Sequence, residues 1–382
     1  MKTLCAGDPI RRAADRQRST GIVLAIVLVL IFVLVTAVYA FQRRAIIDTT
    51  VATNRLRSAE AEALARGGLR VAAAVVFLTR LKEESNTGDP TSEGSGDPAG
   101  NPAGSFAPDE LWANIGEFPL ELEGGRTLRI TIEDEGARLN LNALVDQNGE
   151  SSAGSDEEAE EYLVRVIEYI IDGIDAPTQD KNYDARAIAR NLLDYMDEDS
   201  DARRGGSEDD YYRNQDPPYS TRNGPFLSVG EIGLVDGVDP QLLKAMRHYL
   251  TVHPIGGSQG INLNRAEPWV LSIVYSGTSG ERKLVAEQTV RDIWALREQS
   301  KILCNESSSD PLRCVTPGEV GNGELGEGSI YPETVLPAMP IVFRVVAEAQ
   351  VGQLTRRMEA IYDTRASAGP QLLSCRRLRG HE

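Results

Sequence analysis

The run from Ile22 to Phe41, IVLAIVLVLIFVLVTAVYAF, carries no charged residue over twenty positions. An uncharged apolar segment of about 20 residues is long enough to cross a bilayer as a helix. Arg11, Arg12, Arg16 and Arg18 precede it. The positive-inside rule therefore keeps the N-terminal side cytoplasmic, against the weaker pull of Arg43 and Arg44 beyond the run. The segment exceeds the roughly 7–15 residues of a secretory h-region, and no A-x-A cleavage site follows it closely. The expectation is one membrane anchor, with the chain outside the cytoplasm from about residue 42 onward.

Helical character continues past the anchor. Residues 45–83 contain no proline and are rich in Ala, Leu, Arg and Glu. Leu56, Ala59, Ala63, Leu64, Val71, Val75 and Leu78 recur at helical spacing. Gly67 and Gly68 allow a bend without ending the helix. A helix over 22–83 would reach ~90 Å, a length suited to packing lengthwise against other helices.

Residues 85–108 are rich in Pro, Gly and Ser and read as a flexible loop. Arg126–Glu133 alternates like a strand and turns at Asp134-Glu135-Gly136. Glu161–Ile174 is amphipathic, and Ala185–Met196 follows as a second helix. Phe226–Gly233 and Pro240–Tyr249 form a helix-turn-helix pattern, with Ser228 and Glu231 in capping-box spacing. Ile261-Asn262-Leu263-Asn264-Arg265-Ala266 echoes Leu139-Asn140-Leu141-Asn142-Ala143. A helix over Arg282–Arg297 comes next, and the chain ends in two strands, Ile341–Ala349 and Thr355–Tyr362, joined by a turn at Gln350–Gln353. Beyond them Cys375 falls in a basic tail expected to fray. The fold class is α+β, a long helix and a small sheet with a mostly helical insertion.

Forty Lys and Arg against 57 Asp and Glu give a net charge of −17 over 382 residues. That balance disfavours a phosphate-backbone partner. Only three His are present, so a His-rich zinc site is not expected. Cys304 and Cys314 lie ten residues apart in a polar stretch. Outside the cytoplasm they close a small disulfide loop; otherwise they are two unrelated thiols.

Negative charge concentrates between Asp194 and Asp210. Asp197, Asp199 and Asp201 stand at positions 1, 3 and 5 of an EF-hand-like loop, and Glu208 at position 12. Ala202 replaces the turn glycine, and Arg204 stands where an apolar anchor belongs, so a true EF-hand is not expected. Asp194, Glu198, Asp209 and Asp210 enlarge the cluster, and Arg203 and Arg204 only partly offset it. Two readings fit: a structural calcium site, with Asp194, Asp197, Asp199, Asp201, Glu208 and Asp209 as candidate ligands, or a solvated acidic loop. No G-x-S-x-G, H-E-x-x-H or P-loop occurs. An enzyme is not expected.

Three stretches together resemble the minor pseudopilin K family of the bacterial type II secretion system. They are the basic leader ending at Gly21 before the apolar helix; Ile132-Glu133-Asp134-Glu135-Gly136-Ala137-Arg138-Leu139-Asn140-Leu141-Asn142-Ala143-Leu144; and the ordered series of Leu192–Tyr212, Pro217-Pro218-Tyr219, Phe226–Glu231 and Ile261–Ala266. The resemblance implies a pilin-like fold. It divides the chain into a leader over 1–21, a long helix over 22–84 (transmembrane over 22–41), the loop over 85–108, a first part of the sheet over 109–145, a helical insertion over 146–260, and a second helical segment with the closing strands over 261–382. It also implies a prepilin peptidase cutting after Gly21, methylation of Ile22, and calcium in the helical insertion. The implied setting is the inner membrane, with a periplasmic domain at the tip of a short pseudopilus. The implied partners are the I- and J-type minor pseudopilins and the inner-membrane assembly platform. Ordinary pilins bury a Glu at mature position five, which needs a partner in apolar surroundings. Counted from Ile22, that position is Ile26, which suits a subunit with nothing above it.

Two rivals share features with this reading. INLNRA also resembles the start of helix-hairpin-helix DNA-binding domains, and a type IV minor pilin would share the leader and the helix. The leader gives the sharpest expectation: co-expression with a prepilin peptidase yields a mature N-terminus at methylated Ile22, read by mass spectrometry. An uncut leader beside active peptidase would reduce the segment to an ordinary anchor.

Overall fold

The computed structural model describes residues 9–87, 111–116, 119–145, 156–175, 182–203, 205–257, 260–305, 313–326, 328–334, 336, 340–366 and 368–379. One helix, α1 (Pro9–Thr87), is 79 residues long, about 120 Å at 1.5 Å per residue. It continues through Gly67 and Gly68 and ends inside the stretch expected to be loop; the rest of that loop, residues 88–108, lies outside the described residues. Residues 22–41 are exposed throughout and are apolar enough to cross a membrane.

After α1 come the short α2 (Leu111–Asn114), β1 (Leu120–Leu122), β2 (Arg126–Asp134) and β3 (Leu139–Asn140). The helical region holds α3 (Asp156–Asp172), α4 (Ala185–Met196), α5 (Asp209–Tyr212), α6 (Pro240–Met246) and β4 (Leu250–Thr251). It continues with α7 (Pro268–Leu271), β5 (Tyr275–Ser276), β6 (Lys283–Leu284), α8 (Glu287–Glu298), β7 (Ile302–Leu303), β8 (Cys314–Val315) and β9 (Ile330–Tyr331). The chain then returns to the main sheet as β10 (Val342–Val351), β11 (Leu354–Asp363) and β12 (Gln371–Leu378). That sheet is antiparallel, in the order β1-β2-β10-β11-β12.

The sheet packs on α1 through small residues. Ala65, Leu69, Ala72 and Val76 are buried against Leu128, Ile130, Ile132, Phe343, Val345, Ala347 and Ala349. These strand positions alternate, so one face of β2 and β10 is apolar throughout. Gly68 permits the close approach: a Cβ there would lie 2.9 Å from Leu128 Cδ1 and 3.2 Å from Ala347 Cβ. The periodic set read from the sequence is only partly on this face: Leu64 and Val75 pack against the core, while Leu56, Val71 and Leu78 are exposed. Alanines define the contact because only small side chains let a helix lie this close to a sheet.

Several expectations shift. The stretch placed at the start of a helix, Arg282–Leu284, instead contains β6, and α8 begins at Glu287. Ser228 makes no side-chain cap; Glu231 instead accepts from the Leu227 N–H at 3.0 Å. The segment there is a 3₁₀ helix, Val229–Leu234, whose tighter turn changes the capping-box geometry. Cys375 lies within β12, opposite Ala360 of β11, and not in a frayed tail. The hairpin between β10 and β11 turns at Gly352, whose φ of 64° suits glycine.

The helical region leaves the sheet at Asp134 and returns beside it, since Phe343 pairs with Asp134. A buried joint fixes the departure. Asp134 accepts from the Gly136 N–H and from Asn262 Nδ2, both at 2.8 Å, and the Asn262 N–H donates to Gly136 O at 2.7 Å. Burial pushes the Asp134 carboxyl up to about 6, against the pull of these bonds. Thr251 donates to Glu135, which also pairs with Arg138 at 3.1 Å.

The two echoing segments do the same job. Asn140 accepts from the Asn142 N–H, and Asn262 from the Asn264 N–H. Asn142 then clamps the backbone of Phe226, donating to its C=O and accepting from its N–H, both at 2.9 Å. Asn264 clamps Leu303 in the same way, at 2.8 and 2.7 Å. Each clamp meets backbone groups that would otherwise be buried without partners. Asn142→Ala is expected to cost about 2 kcal/mol in equilibrium unfolding, because three backbone groups, Phe226 N–H and C=O and Val252 C=O, lose their partner at once. A change within error would show that water replaces the side chain.

Candidate metal centre

The acidic cluster forms where α4 ends. Asp194 lies in its last turn, and Asp197 is its C-cap. Both carboxylates therefore sit at the negative end of the helix dipole, which disfavours them unless a cation is near. The chain then makes a small hairpin. Asp201 bridges Ser207, the Ala202 N–H donates to Gly206 O at 3.1 Å, and Gly205 and Gly206 take φ of 87° and 99°. A side chain at either glycine would be strained, so this pair makes the turn possible. The turn carries Glu208 back against α4.

Asp194, Asp197 and Glu208 converge as a result. All three are buried, and one carboxylate oxygen from each lies within 4.8 Å of the others. Glu208 is 7% exposed, and neither of its side-chain oxygens has a hydrogen-bond partner among the described residues. A cavity of about 110 Å³ opens beside them, lined also by Asn191, Tyr212 and Asp236. Burial, then the neighbouring Asp197 and Asp194, push the Glu208 carboxyl up to about 8. Burial also pushes Asp194 up to about 6, offset by the backbone and side chain of Arg203. A hard divalent cation is what three converging carboxylates with an unpartnered buried member can hold.

The other three candidate ligands are held differently. Asp199 Oδ1 accepts from the Asp201 N–H at 2.7 Å, and the Asp201 side chain is exposed. Asp209 accepts from the Thr221 N–H at 3.0 Å and hydroxyl at 3.1 Å, and pairs with Arg213 at 2.8 Å. The Thr221 backbone bond leads the effects that hold its carboxyl below the ordinary value. It ties α5 to the segment before Phe226. The EF-hand count drew Asp199 and Asp201 into one set with Asp197, but the loop does not coil around a centre as an EF-hand does. The clamps by Asn142 and Asn264 were visible in the sequence only as an echo.

The remaining candidate residues lie elsewhere. Cys304 and Cys314 are joined as a disulfide, with Cα atoms 5.6 Å apart and the parallel pair β7 and β8 beside them. α1 runs without interruption through Gly21 and Ile22, and the Ile22 side chain is exposed.

The family model for the type II secretion system protein K matches residues 137–255, the stretch that carries the first Asn clamp and the acidic cradle. A putative type II secretion system protein K of Escherichia coli K12 is 30% identical over 155 residues, 41% of this chain and 44% of that one. The type II secretion system protein K of Pseudomonas aeruginosa is 24% identical over 278 residues, 72% of this chain and 74% of that one. The matched stretch thus spans less than half of the Escherichia coli relative, and 39% of a further relative from Klebsiella pneumoniae. Among solved structures, a chain of the GspK-GspI-GspJ complex from the type 2 secretion system of enterotoxigenic Escherichia coli superposes with a TM-score of 0.53 at 16% identity, covering 86% of this chain and 99% of that one. The family match covers Arg138, Asn142, Thr251 and the cradle, and the likeness of fold extends over most of the chain: over residues 137–255 this chain is similar to the type II secretion system protein K family.

Proposed function

We propose that this chain is a minor pseudopilin at the tip of a type II secretion pseudopilus, a structural subunit that primes fibre assembly and catalyses nothing. The observation that carries the reading is α1. Its apolar run from Ile22 to Phe41 and the exposed Ile46, Ile47, Val51 and Leu56 beyond it leave a long helix with no lengthwise partner among the described residues. In this reading the run first anchors the subunit in the inner membrane, N-terminus cytoplasmic and sheet periplasmic. Prepilin peptidase removes the leader at Gly21, and the helix then passes to the fibre with the help of the inner-membrane platform. Ile26, at mature position five, needs no amine from a subunit above it. By analogy with the crystallised complex, whose name includes GspI and GspJ, the partners are the I- and J-type minor pseudopilins.

The DNA-binding reading has less support. Tyr275–Ser276 belongs to β5, paired with β6 and β9, so the turn after INLNRA is a β-hairpin. A helix hairpin that offers its N–H groups to phosphate is not formed there. Co-expression with I- and J-type minor pseudopilins in detergent is expected to yield a stoichiometric complex. Recovery of this chain alone, or a salt-sensitive complex with DNA, would overturn the assignment.

Calcium is the cation proposed for the cradle, with Asp194, Asp197 and Glu208 as its protein ligands and a purely structural role. It would neutralise the negative end of α4 and pin the loop from Asp197 to Asp210. Saturating calcium is therefore expected to raise the melting temperature of the full chain, because the ion binds the folded state alone. Glu208→Gln is expected to remove most of that rise. An equal rise in both proteins would place the ion elsewhere.

A further inference from the structure

Arg203 lies on the same hairpin that returns Glu208 to the cradle, and its guanidinium points into it. Nε is 3.1 Å from Asp194 Oδ1, and Nη2 is 2.9 Å from Asp197 Oδ2. The Arg203 N–H also faces both oxygens of Asp194, at 3.4 and 3.2 Å. The arginine side chain is 18% exposed, and the two carboxylates 7% and 8%. This is a buried ion pair, where charge counts for more than at the surface.

Among the described residues the charges do not balance. Three buried carboxylates converge where this one guanidinium holds two of them, and both oxygens of Glu208 lack a hydrogen-bond partner among those residues. A divalent ion touching Asp194, Asp197 and Glu208 would meet all three. It would also stand within a few ångströms of the guanidinium, since both hold the same two aspartates. Positive charges that close repel, and the repulsion is largest where water is scarce.

Resting on the cation reading of the cradle, we propose that Arg203 is an internal competitor for the ion, holding Asp194 and Asp197 until a divalent cation takes them and turns its side chain outward. The backbone N–H of Arg203 stays on Asp194 in either arrangement, so the exchange moves a side chain and not the hairpin. The loop then has two ways to neutralise the end of α4. Its affinity is set below what three buried carboxylates alone would give.

The test is calcium titration by calorimetry on the full chain in detergent, for the wild type, Arg203→Gln and Arg213→Gln, with melting temperatures in chelator and in saturating calcium. Arg213 pairs with Asp209 outside the converging three and serves as the charge control. Arg203→Gln is expected to bind calcium on the order of tenfold more tightly, through loss of the nearby positive charge. It should melt lower than wild type in chelator and level with it in calcium, while Arg213→Gln follows the wild type in both. Unchanged or weaker binding by Arg203→Gln would overturn the proposal, as would equal tightening in Arg213→Gln. Failure of Arg203→Gln to fold even in calcium would also overturn it. A wild type that takes up no calcium would instead sink the cation reading itself, a separate outcome.

Discussion

The joint at the end of β2 governs the architecture. The sheet and α1 form one core, the helical region forms another, and the chain crosses between them at Asp134 and again before β10. A crossing of this kind leaves backbone groups of the turning residues inside the protein, where each needs a partner. The Asp134 carboxylate and the Asn262 backbone N–H supply them, the Asn262 side chain steadies Asp134, and Glu135, Thr251 and Arg138 stand alongside. Because these bonds are directional, they orient the helical region on the sheet as well as attach it. Apolar contact alone would leave that orientation loose.

Around the joint the protein uses two kinds of packing. Against α1 it relies on closeness: alanines and Gly68 bring the helix down onto alternating strand residues. In the helical region it relies on bulk. Tyr162 stacks on Tyr275 with ring centres 4.6 Å apart and donates to Ile273 O, amid leucines and isoleucines from α3 and α4. On the far side of the sheet, Arg344 links Glu133 to Glu359, and Arg376 reaches Glu359 from β12. Burial works against both glutamates, but the arginines prevail and hold their carboxyls below the ordinary value. The edge strand is thus tied in by charge, where it has little apolar surface to offer.

That contrast explains what could be read from the sequence. Ala185–Met196 and the strands of the central hairpin announce themselves because one side of each is apolar at the right period. β12 does not: Leu372 and Leu373 are adjacent, two arginines follow, and nearly the whole strand is exposed. Its pairing is decided by β11, far from any local signal. The start of the expected helix, Arg282 to Ala286, failed for a related reason, since pairing with β5 claims Lys283 and Leu284. The acidic cradle was legible in composition and only partly in membership. Spacing along the chain could not reveal that two glycines fold the loop back so that Glu208 converges with Asp194 and Asp197.

The twin asparagine clamps carry a consequence for how the helical region gives way. Each grips the residue at the mouth of a long excursion: Phe226 follows the acidic hairpin, and Leu303 precedes Cys304. The same fastening thus appears twice on two loops whose own closures differ, one through carboxylates and the other through sulfur. A reductant would therefore act on the second loop and, under the calcium proposal, a chelator on the first, each while the asparagine clamp still held the base in place.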